Sequence, residues 1–250
     1  MCGRYTLIAE IDYLIEMFQL PPETTLEHDA PRYNQAPSDA QPGRPPVERR
    51  APVVRRMDKQ NRLDELIWRL IPRWSKGQFV RYNTINAKSE TVAEKGMFKA
   101  PWSQSMRCLI PASGIIEWQT LPVGPKQPYH ITLDDRECFA MGGVWEASTT
   151  ASGNTVYSFA ILTTAANDTF SDIHPRMPVI IAPDDYQRWL QTDPDDAATL
   201  CQPYTAQSMV ASAISRGVNN PHANDARLLE PDTEPPQEQP PPTDPQETLF

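Results

Sequence analysis

The residue whose chemistry stands out is Cys2, in the opening Met1-Cys2-Gly3-Arg4-Tyr5-Thr6. Removal of the initiator methionine would leave an α-amine and a thiol on one residue. An α-amine titrates at about 7.7–8.0, so part of it is uncharged near neutral pH, and a thiol of pKa about 8.5 supplies some thiolate. Together they are a reagent for aldehydes: the amine forms an imine, and the sulfur closes on it intramolecularly to give a five-membered thiazolidine. The plainer alternative is a small residue that permits methionine removal and is then buried. Cys108, Cys138 and Cys201 show neither the close pairing of a zinc site nor the density of a disulfide scaffold, so the four cysteines read as reduced thiols. No residue cluster calls for a metal or a cofactor.

Two further residues could take part, and each has an ordinary explanation. Glu117 lies in the apolar run Gly114 to Trp118, where alternation puts it on the side of Ile115 and opposite Ile116 and Trp118. On a wet face it is a surface glutamate; in a closed site desolvation would raise its pKa and make it a proton donor and acceptor. His174 precedes Pro175, which favours extended backbone, and suits either a structural histidine or a proton shuttle near neutrality. A strip from Trp68 to Trp74 (WRLIPRW) combines guanidinium groups that can hold phosphates with an indole, Trp74, that can stack on an unpaired base. Trp68 is expected in the core.

The elements that must position these groups read as follows. Ile11, Leu14, Ile15 and Phe18 recur at helical spacing, so Ile8 to Leu20 is predicted as an amphipathic helix stopped by Pro21-Pro22. A Pro-rich loop is expected to about Pro52. Apolar and β-branched runs at 65–71, 107–111, 114–118, 129–133, 139–145, 156–163 and 178–182 predict seven short strands after an N-terminal one. Helices are expected at 183–190 and 194–201, with a further one at 91–99 despite Gly96. The class is α+β. No run reaches a membrane span and the start is not a signal segment, so a cytoplasmic location is expected.

The net charge of −9 is unevenly placed. Residues 230–250 hold six acids and no base, leaving −3 on residues 1–229, whereas 44–95 carries thirteen Lys and Arg against six acids. A local basic face is therefore compatible with nucleic acid despite the acidic total.

Four ordered stretches carry a resemblance: RYNQAP at 32–37, NAKSET at 86–91, RCLIPASGIIEW at 107–118 and IHPRMP at 173–178. With the Cys2 start they resemble the SRAP family, the SOS response-associated peptidases. The resemblance implies a single domain over about 2–229 with a mixed, barrel-like β core flanked by helices. It further implies a sensor of abasic sites in single-stranded DNA that crosslinks its mature Cys2 to the ring-opened sugar, with associated lyase activity. It assigns Glu117 as general acid/base, His174 as partner of the sugar hydroxyl or imine, and Asn86 as the amide that holds the cysteine and the aldehyde-derived oxygen. DNA contacts fall to Arg4, Asn34, Arg73, Trp74 and Lys88. The chain departs from the family pattern at Arg69, where glycine is usual, at Lys88, where arginine is common, and at Ile115-Ile116, where aromatics are frequent. An N-terminal nucleophile hydrolase of the glutaminase type, with Cys2 attacking an amide, and a non-enzymatic DNA-binding adaptor are the alternatives.

Residues 230–250 hold seven prolines and little that is apolar, so they are expected to be disordered. They end in Gln246-Glu247-Thr248-Leu249-Phe250, which looks like the Gln-x-x-Leu-Phe peptide that docks on the bacterial β sliding clamp, with Gln246, Leu249 and Phe250 as anchors. A monomer is the simplest expectation.

Overall fold

The computed structural model describes residues 2–26, 30–40 and 44–231. In chain order the strands are β1 Arg4–Leu7, β2 Arg32–Gln35, β3 Arg50–Met57, β4 Gln60–Trp68, β5 Asn86–Lys88, β6 Arg107–Ala112, β7 Gly114–Gln119, β8 Gln127–Leu133, β9 Phe139–Thr149, β10 Thr155–Ala165, β11 Arg176–Pro178, β12 Ile180–Ile181 and β13 Met209–Ala213. The helices are short: α1 Ile11–Phe18, α2 Lys99–Ser103, α3 Asp168–Ser171, α4 Tyr186–Gln191 and α5 Pro194–Ala198. The fold is α+β, as predicted.

Two sheets build it. In one, β10, β4, β3, β6 and β9 follow each other and β9 pairs back onto β10, closing a five-stranded barrel. All its pairings are antiparallel except β4–β10. Closure removes the open edges that a sheet of this size would otherwise expose. The other sheet has the order β13-β8-β7-β1-β2. The apolar core is shared, running from Tyr5 and Leu14 through Trp68 and Phe159 to Trp189. Trp68 is fully buried, as expected from the sequence.

Several local predictions are corrected. The first helix is shorter than Ile8 to Leu20, because Gln19 turns left-handed (φ 52°) and its backbone N–H caps the last turn. The segment 91–99 forms turns around Gly96, and the helix there begins only at Lys99. The Pro-rich stretch to Pro52 is not all loop. It contains β2, and β3 runs straight through Pro52 and Arg55, joined to β4 by a two-residue turn at Asp58-Lys59 with both φ positive. Arg55 is buried because Asp64 pairs with it at 2.7 Å and the Trp145 ring lies 4.4 Å away, so a charge that reads as exposed sits inside a strand.

The chain after β13 wraps back over the second sheet. Val218, Leu228 and Ile214 bury themselves against Ile116 in a separate small cluster, each such side chain contributing roughly 1.5–3 kcal/mol relative to exposure. No helix among the described residues is long and apolar enough to cross a membrane. Gln246, Leu249 and Phe250 lie outside the described residues.

Candidate active site at the amino terminus

β1 pairs antiparallel with β7, Arg4 opposite Ile116 and Tyr5 opposite Ile115. Continuing that register backwards lays the start of the chain alongside Glu117 and Trp118. Alternation does the rest: Ile116 points to the small cluster under the C-terminal wrap, while Ile115 and Glu117 face the main core, where Cys2 is fully buried. Gly114, at the start of β7, leaves room for a ring from β8. A Cβ on Gly114 would lie 2.0 Å from the His130 Nε2, and that ring, 3.0 Å from Thr6 Oγ1, fills the space between β1 and β8. Burial pushes His130 down to about 4, so it is a neutral packing group.

Asn86 comes from the opposite wall. β5 is a short parallel strand on β10, with Asn86 level with Ile161, and the Asn86 Nδ2 donates to the Cys2 carbonyl at 2.8 Å. Its Oδ1 is buried with no hydrogen-bond partner among the described residues. An orphaned acceptor costs free energy unless something donates to it. Glu117 is 4% exposed, and desolvation raises its carboxyl to about 7 against the opposing amino-terminal charge and a bond from the Trp118 amide. Burial pushes the Cys2 thiol well up, and the Glu117 charge adds to this. The thiol, 3.9 Å from the Arg4 carbonyl, is therefore held in its protonated form.

His174 arrives on the loop between α3 and β11. It is half-buried, and desolvation, helped by the amino-terminal charge, lowers its pKa. The Nδ1 lies 3.0 Å from the Arg176 amide nitrogen and 3.1 Å from the Arg176 carbonyl oxygen, so the Arg176 backbone fixes the orientation of the ring. Gln119, two residues beyond Glu117, donates to the Asp172 carbonyl at 2.8 Å and so ties this loop to the end of β7. Cys2, Asn86, Glu117 and His174 thus gather where the two sheets meet.

The remaining sequence candidates are placed differently from one another. Arg4 donates to Asn34 Oδ1 and to the Val218 carbonyl, both at 2.7 Å. The Asn34 amide donates to the Val218, Asn220 and Ala223 carbonyls. Both side chains thereby fasten the C-terminal wrap beside the site. Arg73 pairs at 2.9 Å with Glu146, which is almost fully buried, while Trp74 next to it is 61% exposed. Lys88 is exposed, two residues on from Asn86 along β5. Sequence reasoning missed one arrangement: Arg176 grips both carboxylate oxygens of Glu90, at 2.6 and 2.8 Å, and the Thr163 carbonyl at 2.6 Å. The two residues sit in the NAKSET and IHPRMP stretches, and their opposite charges were the available signal.

The buried first residues, with an acid of raised pKa beside them, bring a thiol, an amide and a carboxyl together where the barrel meets the second sheet. The chain belongs to the SRAP family, whose model, SOS response associated peptidase, matches residues 1–221. It is 39% identical over 233 residues to the abasic site processing protein YoqW of Bacillus subtilis (strain 168), covering 92% of this chain and 99% of that one. It is 28% identical to the abasic site processing protein HMCES of Rattus norvegicus, covering 92% of this chain and 76% of the relative. A crystal structure of a protein from Bacteroides thetaiotaomicron superposes with a TM-score of 0.75 at 23% identity, over 92% of this chain and 99% of that one, and shows the same fold.

Proposed function

We propose that this protein captures abasic sites in single-stranded DNA by forming a thiazolidine between mature Cys2 and the open-chain sugar aldehyde. The observation that carries the reading is the Glu117 carboxyl, raised to about 7 and facing the buried start of the chain. The Cys2 amine adds to the aldehyde carbon, and the resulting carbinolamine loses its hydroxyl as water, taking a proton from Glu117. The sulfur then attacks the imine carbon. Its proton passes to the Glu117 carboxylate, and the nitrogen is left as a ring amine, so the net change is loss of one water. A thiol kept protonated by burial needs such a base, and a carboxyl near 7 both gives and takes protons at neutral pH.

Asn86 holds the Cys2 carbonyl through its amide N–H, and its buried Oδ1 is the acceptor left for an incoming amine or hydroxyl. His174 pairs with the sugar oxygen released on ring opening. From the imine, loss of a proton from the adjacent sugar carbon expels the 3′-phosphate, and this is the associated lyase activity. Phosphates are met by Lys88 and Arg73 and a base by exposed Trp74, while Arg4 and Asn34 hold the site's edge. The names of the relatives support the substrate. The tail peptide Gln246 to Phe250 is proposed to recruit the protein to the bacterial sliding clamp, raising its local concentration where single strands are exposed.

The test is an intact mass before and after incubation with an abasic oligonucleotide. The adduct is expected at the summed mass less one water on a chain lacking Met1, absent in Cys2→Ser and retained in Cys108→Ser. Glutamine hydrolysis without an adduct would transfer the protein to the amidohydrolase reading.

A further inference from the structure

A cavity of about 590 Å³ has Asn34, which is hydrogen-bonded to Arg4, in its wall. It opens between β2, the start of β3 and the end of the C-terminal wrap, and its walls include Arg32, Arg49, Arg50 and Asn34 with Pro31 and Pro221. Two acids also line it, and each is already matched. Glu48 pairs with Arg50 at 2.7 Å, and Glu65 is in contact with Arg32. Among the described residues of the wall, Arg49 is the cation left over. Its guanidinium donates to the Pro37 carbonyl at 2.9 Å, and most of its five N–H donors remain for a ligand. The cavity is linked to Arg4 in two ways: Asn34 forms part of its wall and accepts from Arg4, and the Arg49 charge adds to desolvation in depressing Arg4.

We propose that this cavity seats the nucleotide flanking the reacting sugar, its base against Pro31 and Pro221 and its phosphodiester on Arg49. The inference rests on the DNA reading above. The volume suits one small ligand, the lining pairs apolar faces with a guanidinium fork shaped for phosphate, and the Asn34 wall, hydrogen-bonded to Arg4, puts the occupant within reach of the same strand. Arg49 is here a binding residue; the reacting atoms are held by other groups.

The experiment lengthens an abasic oligonucleotide one nucleotide at a time on each side of the lesion. It measures crosslinking rate with the wild-type chain and, by fluorescence anisotropy, affinity with Cys2→Ser. One added nucleotide on one side is expected to raise both by at least threefold. Arg49→Gln flattens that step and Arg49→Lys keeps part of it. In Arg49→Gln the slope of log affinity against log salt also falls by about 0.7, because one phosphate is no longer neutralised. A step of equal size in Arg49→Gln and wild type overturns the proposal, as does absence of any step. A wild-type chain that binds the strands with the step but forms no adduct removes the proposed chemistry and leaves the cavity's role standing.

Discussion

At Glu117 the physical question is where one proton sits. An unfolded glutamate titrates near 4.3, and burial moves this one to about 7. Between those values the folded chain holds a proton that the unfolded chain has released, so this group makes stability fall as pH rises through that window. His174 is shifted downwards and contributes the opposite slope, so the difference between wild type and a single variant is what isolates Glu117. We expect Glu117→Gln to flatten its share of the slope and to exceed wild type above pH 7 by up to about 3 kcal/mol. Urea unfolding at pH 5 and pH 8 reads this directly. The same variant should lose the limb of the crosslinking pH profile near 7; identical slopes and identical limbs in both proteins would make the residue an ordinary strand carboxylate.

The elements around the site carry one visible strain. Arg69, where the family pattern usually has glycine, sits at φ 142° directly after β4, a region that favours glycine. Its side chain compensates in part: Nη2 donates to the Tyr82 carbonyl at 3.0 Å and its backbone N–H to Phe159, tying the segment that leads to Asn86 against the barrel. Arg69→Gly and Arg69→Ala both lose the Tyr82 bond, but only glycine also relaxes the backbone. Glycine should therefore be the more stable of the two by about 1–3 kcal/mol in chemical denaturation, and equal stabilities would mean that the backbone there stores nothing. β5 and β7 matter at this scale for a different reason. One supplies Asn86 and Lys88 from the barrel and the other supplies Glu117 from the second sheet, so neither sheet alone makes the site.

Over the whole molecule, charge is uneven: the stretch from 44 to 95 carries thirteen Lys and Arg against six acids and borders the site, while 230–250 holds six acids and no base. A local excess of positive charge favours a polyanion even in a chain that is acidic overall. The clamp proposal belongs to this scale, because it concerns where the protein works rather than how. Deleting residues 246–250 is expected to reduce affinity for a bacterial β clamp at least tenfold by surface plasmon resonance while the adduct still forms; unchanged affinity would remove the peptide from the account.

The pattern of residues determined the core strands, the burial of Trp68 and the face of β7 that carries Glu117, because apolar alternation is a local signal that tertiary contacts only reinforce. It was silent on β2 and on the true extent of β3, whose polar and charged residues find partners far along the chain, Arg55 on Trp145 and Asn34 on Val218. It also left open whether Glu117 faced water. That was decided by the closure of the barrel and the pairing of β1 with β7, which withdraw the carboxyl from solvent and lay the first residues against it. Desolvation depends on everything packed around a group, so a raised pKa is a property of the assembled fold, whereas a cysteine at position 2 is a property of the chain.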